Sequence, residues 1–303
     1  MKVDVPKKTI ASTHKSLLAT GVDNKRVFLP GEVALIGAGP GDPELLTLKA
    51  LRLIQEADCV VYDRLVSADI MGLVPSSVEK IYVGKKSNEH TLDQSEINKL
   101  LVEKAQSGKK VARLKGGDPF IFGRGGEEVQ DLLDAGVACR VVPGITAASA
   151  CTTYSGIPLT HRDFVHGCTF ITGHLQEGPD GAKLNLPWEA LAREDHTLVV
   201  YMGVKTAPIL SEELIKHGLP VTTPVGLICN GTSENHQTYR TTIADLSEYV
   251  VVNDIKPPTL IVIGKVVNAL RQGADLSEES DLVKGLNAFE LKWHQSHEQR
   301  QAI

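Results

Sequence analysis

The chain carries little aromatic surface. Six Phe, 6 Tyr and 2 Trp are spread over 303 residues, with no cluster on which successive bases could stack. Positive charge is not in excess either: 32 Lys and Arg face 37 Asp and Glu, a net charge of -5. That balance argues against a general nucleic-acid binder. No apolar run approaches the roughly 20 residues that cross a bilayer, so no membrane partner is expected. The five cysteines, Cys59, Cys139, Cys151, Cys168 and Cys229, stand singly. Without a Cys-x-x-Cys pair, zinc-ribbon and thioredoxin-like chemistry are excluded, and scattered thiols suit a reduced, cytoplasmic chain. His161, His166 and His174 are neighbours in sequence, but their spacing matches no common metal motif, so no metal is expected. No internal repeat is visible.

What is present describes a globular protein: 42% hydrophobic and 23% charged residues, with a length that suits two domains. Val33 to Gly37 reads as a strand, followed by Gly-Pro-Gly punctuation. Asp42 and Pro43 read as an N-cap and first helical residue, with Leu46, Ala50, Leu53 and Ala57 at helical spacing. Further strands are predicted at Cys59 to Tyr62, Val78 to Val83, Lys110 to Leu114 and Val137 to Val142. Asp93 and Glu96 form a capping box in front of Ile97, Leu100, Leu101 and Ala105. This alternation predicts an α/β domain with a mainly parallel sheet over residues 31–145. The pattern restarts after Pro143-Gly144. A second α/β domain is predicted over 146–270, its sheet mixed on account of Thr-rich strands and the Pro257-Pro258 pair. Residues 1–30, with six Lys or Arg against two Asp, are read as a mobile or surface-draped arm. Residues 271–303 are read as a tail.

The glycine-rich segments lie where predicted strands end. Gly37-Ala38-Gly39-Pro40-Gly41-Asp42-Pro43 is either a tight strand-to-helix turn or a place where a ligand approaches the backbone. A dinucleotide fingerprint is disfavoured. The glycine spacing departs from Gly-x-Gly-x-x-Gly, Pro40 lacks an amide, and Asp42 sets a negative charge where a phosphate would dock. Tyr62-Asp63-Arg64-Leu65-Val66 follows the second strand, and Val83-Gly84-Lys85-Lys86 the third. The run from Arg113 to Glu128 holds five glycines among charged residues, which serve no core and expose backbone groups to a ligand. Arg64, Lys85, Lys86, Arg113, Lys115, Arg124 and Arg162 recur at such strand ends. In an acidic chain these cations suggest a small polyanionic substrate.

Taken in order, five segments resemble the tetrapyrrole (corrin/porphyrin) methylase family. They are Gly-Ala-Gly-Pro-Gly-Asp-Pro, Tyr-Asp-Arg-Leu-Val, Arg-Leu-Lys-Gly-Gly-Asp-Pro-Phe-Ile-Phe-Gly-Arg-Gly, Val-Pro-Gly-Ile-Thr-Ala-Ala and Gly-Ile-Pro-Leu-Thr-His-Arg. The resemblance runs from about Gly31 to Val267. It implies two α/β domains with S-adenosyl-L-methionine in the cleft between them, and a homodimer. It implies cofactor contacts at Pro40, Gly116, Gly117, Asp118, Ile121, Thr146, Ala147, Met202 and Gly231. It implies a proton acceptor at Asp63, a proton donor at Lys85 and tetrapyrrole contacts at Arg124, Glu127 and Arg162. The implied activity is C-methylation of uroporphyrinogen III at C2 and C7 to precorrin-2, ahead of sirohaem, cobalamin or haem d1. A methylase acting later on the corrin ring and a tetrapyrrole carrier are the alternatives.

Overall fold

The computed structural model describes residues 27–84, 93–175 and 183–270, together with a two-residue strand at 18–19. Lys85, the rest of the predicted arm and the predicted tail from 271 lie outside the described residues. The first sheet contains β1 (Leu18–Ala19), β2 (Glu32–Gly37), β3 (Cys59–Tyr62), β4 (Glu79–Tyr82), β5 (Val111–Lys115) and β6 (Ala138–Val142). Its order is β1-β6-β2-β5-β3-β4, and every pair is parallel.

Parallel strands need crossover helices, and these cover both faces. Helices α1 (Leu48–Glu56) and α2 (Ala68–Gly72) bring Leu53, Ile54 and Ile70 against Ala34, Ile36, Val60, Ala112 and Leu114. Helices α3 (Gln94–Gln106) and α4 (Gly125–Asp134) bring Ile97, Leu101, Val129 and Leu132 against Val33, Leu35, Cys59, Val61 and Val111. Alternate residues of β2 thus feed opposite cores, and all six are buried. The capping box of α3 forms as the sequence predicts: Glu96 N donates to Asp93 and Asp93 N to Glu96.

One predicted helix start is displaced. Asp42 caps only a 3-10 turn, Pro43–Leu45, and Leu46 and Thr47 return to extended backbone. The Thr47 hydroxyl then accepts from Ala50 N at 3.1 Å and opens α1. Two caps in series divide a segment that reads as one helix.

The second sheet contains β7 (Gly167–Thr172), β8 (His196–Tyr201), β9 (Pro224–Cys229), β10 (Gln237–Thr242) and β11 (Thr259–Ile263). Its order is β10-β9-β11-β8-β7, with β7 and β8 parallel and the remaining pairs antiparallel. Because β8 and β9 each oppose β11, strands β7, β8 and β9 run the same way. Helices α7 (Ala207–Lys216) and α8 (Leu246–Val252) cover one face through Leu210, Leu214 and Leu246. Helix α5 (Ala147–Tyr154) covers the other through Ala148 and Cys151. A short helix, α6 (Trp188–Leu191), precedes β8.

Candidate active site

Strands β2 and β5 are neighbours whose connections leave in opposite directions. From β2 the chain passes through α1 to β3; from β5 it passes through α4, on the other face, to β6. Open α/β sheets bind ligands at such a switch point, beyond the carboxyl ends of the strands. Here the two departing loops are pinned together: Gly39 N donates to Gly117 O at 3.1 Å and Gly117 N to Gly39 O at 2.7 Å.

Three glycines make the approach possible. A Cβ on Gly37 would lie 2.4 Å from Gly144 N and 2.7 Å from Gly117 O, and a Cβ on Gly144 would lie 2.3 Å from Gly117 O. The loops after β5 and β6 therefore close over the end of β2 with backbone against backbone. Asp118 completes the closure, accepting from Gly144 N at 3.1 Å and Phe120 N at 2.8 Å.

The carboxyl ends of β8 and β9 face this edge. Tyr201 O–H lies 2.6 Å from Thr146 Oγ1 and accepts from Ala148 N at 2.9 Å. The Phe122 ring packs on Tyr201 at 4.9 Å between centroids. On the other flank Asp42 N donates to Thr232 Oγ1 and Tyr154 O–H donates to Asp42 Oδ2. Gly231 backs onto Cys151 of α5. Backbone strain concentrates here. Phe122, Arg124, Met202, Asn230 and Thr232 all have φ between 48° and 66°, and among the described non-glycine residues only Asp254 joins them. Such conformations persist where surrounding structure enforces them, commonly at ligand sites. Phe120, Phe122, Ile145, Leu65 and Met202 keep exposed apolar surface in the same region, as a cleft for a ligand with an apolar face requires.

Pro40, Gly116, Gly117, Asp118, Ile121, Thr146, Ala147, Met202 and Gly231 all lie on these facing loops or their first helical turn. Asp63 follows β3 on the same edge, 27% exposed, with Oδ1 accepting from Leu65 N at 3.0 Å. Arg124 and Glu127 are exposed at the start of α4 and pair with each other. Arg162 is exposed in the loop before β7.

Two of the cations read as ligand-facing are not. Arg113 and Lys115 are 3% and 4% exposed and pair with Glu128 of α4, which is 0% exposed. As alternate residues of β5 they share one side of the sheet, and that side is covered. Glu128 and Tyr201 were not singled out from sequence. The signal for Glu128 was the second acid of Gly-Gly-Glu-Glu, at the start of a helix facing two strand cations.

His236 secures the Gly231 loop. Its Nδ1 accepts from Thr232 N at 3.0 Å, which places the ring proton on Nε2, 3.1 Å from the Ser155 and Thr238 hydroxyls. Burial holds its pKa below the usual histidine value, and the protonated ring could not accept from Thr232. The neutral ring's contribution is thus present above about pH 6.5, the unfolded value, and is lost as pH falls through the lower folded value. His236→Gln is expected to flatten the fall in Tm between pH 7 and pH 5; parallel Tm profiles for the two proteins would contradict this.

A two-domain α/β protein with a loop-built cleft at its topological switch point defines a broad class. Comparison narrows it. The sequence profile of the Tetrapyrrole (Corrin/Porphyrin) Methylases matches residues 32–247, and the chain belongs to that family. It is 53% identical over 253 residues to a siroheme synthase of Ruthia magnifica, covering 84% of this chain and 53% of that one. It thus spans about half the length of the curated relatives it matches. A uroporphyrin-III C-methyl transferase of Thermus thermophilus, complexed with S-adenyl homocysteine, superimposes with a TM-score of 0.67 at 41% identity, over 78% of this chain and 94% of that one. The cobalt precorrin-4 methyltransferase CbiF gives a TM-score of 0.67 at 28% identity, over 78% and 96% of the two chains.

Proposed function

We propose that the chain transfers methyl groups from S-adenosyl-L-methionine to C2 and then C7 of uroporphyrinogen III, giving precorrin-2 by way of precorrin-1. The observation that carries this reading is the meeting of two strand-end edges around glycine backbone at the switch point. The likeness to the Thermus enzyme supports it, and so does the residue chemistry. Gly116 and Gly117 put no side chain between the loop backbone and a nucleoside and amino-acid ligand. A Cβ on Gly116 would strike Leu65, and Gly117 has φ +70°. Met202, 51% exposed beside Tyr201, offers apolar surface to a purine. In this reading Pro40, Gly116, Gly117, Asp118, Ile121, Thr146, Ala147, Met202 and Gly231 hold the sulfonium cofactor, which supplies an electrophilic methyl group when bound.

The tetrapyrrole carbon is itself electron-rich, so the chain needs no activated nucleophile. Its residues must align the two reactants, which can lower a barrier by roughly 7–11 kcal/mol, and accept the proton that the methylated ring sheds. Asp63, 27% exposed on the cleft edge, is assigned as proton acceptor and Lys85 as donor, as the family resemblance implies. The two Asp63 oxygens meet Leu65 N and the Arg113 guanidinium, which orient the carboxylate. Arg124, Glu127 and Arg162 are assigned as tetrapyrrole contacts, with Arg124 and Arg162 receiving the substrate's carboxylate side chains; a guanidinium fork suits a carboxylate better than an ammonium does. A homodimer and a cytoplasmic setting go with this reading, the latter supported by five free thiols.

Arg124→Ala separates the two halves of the site. It is expected to raise the tetrapyrrole KM about tenfold, in line with the loss of one charge-assisted contact, while S-adenosylhomocysteine binding by calorimetry stays unchanged. Equal loss of both would place Arg124 in the cofactor pocket instead.

A further inference from the structure

Beneath the edge that carries Asp63 lies a contiguous cluster of charged side chains, unusual in a protein interior. Glu128 Oε1 accepts from Lys115 Nζ at 2.7 Å, from Gln94 Nε2 at 3.1 Å, and from Arg113 Nη2 and Nε at 3.3 and 3.4 Å. Glu128 Oε2 is buried and has no hydrogen-bond partner among the described residues. Arg113 Nη1 donates to Leu114 O at 2.8 Å, and its Nη2 also reaches Asp63 Oδ2 at 3.3 Å.

Packing does not require this arrangement. Apolar side chains of similar volume commonly replace a buried ion cluster with no loss of stability. The contacts instead form a line from α3 and α4 to the cleft. Gln94 and Lys115 hold Glu128, Glu128 holds Arg113, and Arg113 meets the one oxygen of Asp63 that its own turn leaves unheld. Burial and the adjacent guanidinium push the Lys115 pKa down while Glu128 opposes them, so the two buried cations compete for the same carboxylate.

We propose that Arg113, anchored by Glu128, is the positioning residue that fixes the Asp63 carboxylate for proton acceptance. This rests on the reading of Asp63 as the acceptor. In the step it serves, a C–H bond of the methylated, cationic macrocycle breaks. The electron pair returns to the ring and cancels its positive charge, and the proton passes to the Asp63 carboxylate. Lys115 neutralises the charge of Glu128 that Arg113 does not, which leaves the Arg113 fork free to face Asp63.

Two charge-balanced double variants separate positioning from folding. Lys115→Met/Glu128→Gln removes one charge of each sign, keeps a side-chain carbonyl at 128 that can still accept from Arg113, and leaves Arg113 opposite Asp63. Arg113→Met/Glu128→Gln removes the same charges and leaves Asp63 without its guanidinium. Tm, S-adenosylhomocysteine affinity, and anaerobic kcat and KM with uroporphyrinogen III are measured for both. The second is expected to have kcat about 10–100-fold below the first, a part of what general acid–base catalysis contributes, with KM and cofactor affinity matched. Placed in an Asp63→Asn background, Arg113→Met/Glu128→Gln should cost nothing further. Equal kcat in the two double variants overturns the proposal, and so does an additive loss in the Asp63→Asn background. Wild-type turnover by Asp63→Asn alone would instead sink the reading of Asp63 on which the proposal rests. If Arg113→Met/Glu128→Gln does not fold, Arg113→Lys replaces it. Lysine keeps the charge but cannot span Glu128 and Asp63, so the same fall in kcat is expected and an unchanged kcat overturns the assignment.

Discussion

Asp63→Asn should lower kcat by about 10²–10⁴-fold, the range that general acid–base groups contribute, with a much smaller change in tetrapyrrole KM. The substitution is close to isosteric. The amide carbonyl of the new side chain can still accept from Leu65 N, as Asp63 Oδ1 does, so the turn after β3 is retained. What disappears is a carboxylate able to take a proton, together with the oxygen that accepts from Arg113 Nη2. A loss confined to kcat therefore reports on a step after binding. Anaerobic steady-state kinetics of the two proteins checks it, and a wild-type kcat would remove Asp63 from the reaction.

The other large effect lies in the backbone. Gly144→Ala would set its Cβ 2.3 Å from Gly117 O and 2.7 Å from both Cα and C of Gly37. None of these atoms is the movable end of a side chain. Relief requires the loop after β6 to part from β2 or from the Gly117 turn, and both carry predicted cofactor contacts. The cost is expected at the top of the overpacking range, about 3 kcal/mol, or roughly 6–12 °C in Tm for a body of this size. S-adenosylhomocysteine affinity should fall with it. Differential scanning calorimetry with and without that ligand tests both parts; an unchanged Tm would show that the glycine closure is looser than described.

Much of this was legible along the chain. Strand Cys59–Tyr62 falls where the alternation places it, Val111–Lys115 and Ala138–Val142 fall within one residue of it, and the Asp93–Glu96 box is local chemistry that needs no tertiary support. The glycine segments also announce themselves, because charged loops with five glycines cannot be core. What sequence does not carry is which way a strand-end side chain points once helices are laid on. Arg113 and Lys115 read as ligand cations by position, yet their side of β5 is covered by α4. Tyr201 shows the same limit. The family resemblance drew attention to Met202 beside it, whereas the Tyr201 hydroxyl is the group that joins the second sheet to Thr146 and Ala148. The opposition of the two edges depends on residues as far apart as Asp42 and Thr232, a pairing no local pattern encodes.

The central claim is that this cleft brings a sulfonium methyl group to an electron-rich tetrapyrrole carbon. Its most direct test is a mass spectrum. Uroporphyrinogen III is generated enzymatically under anaerobic conditions, incubated with the protein and methyl-labelled S-adenosyl-L-methionine, then oxidised and analysed. The account predicts a tetrapyrrole carrying two labelled methyl groups. An unmethylated tetrapyrrole, from protein that still binds S-adenosylhomocysteine, would contradict it and leave a methylase of this family acting on a different ring.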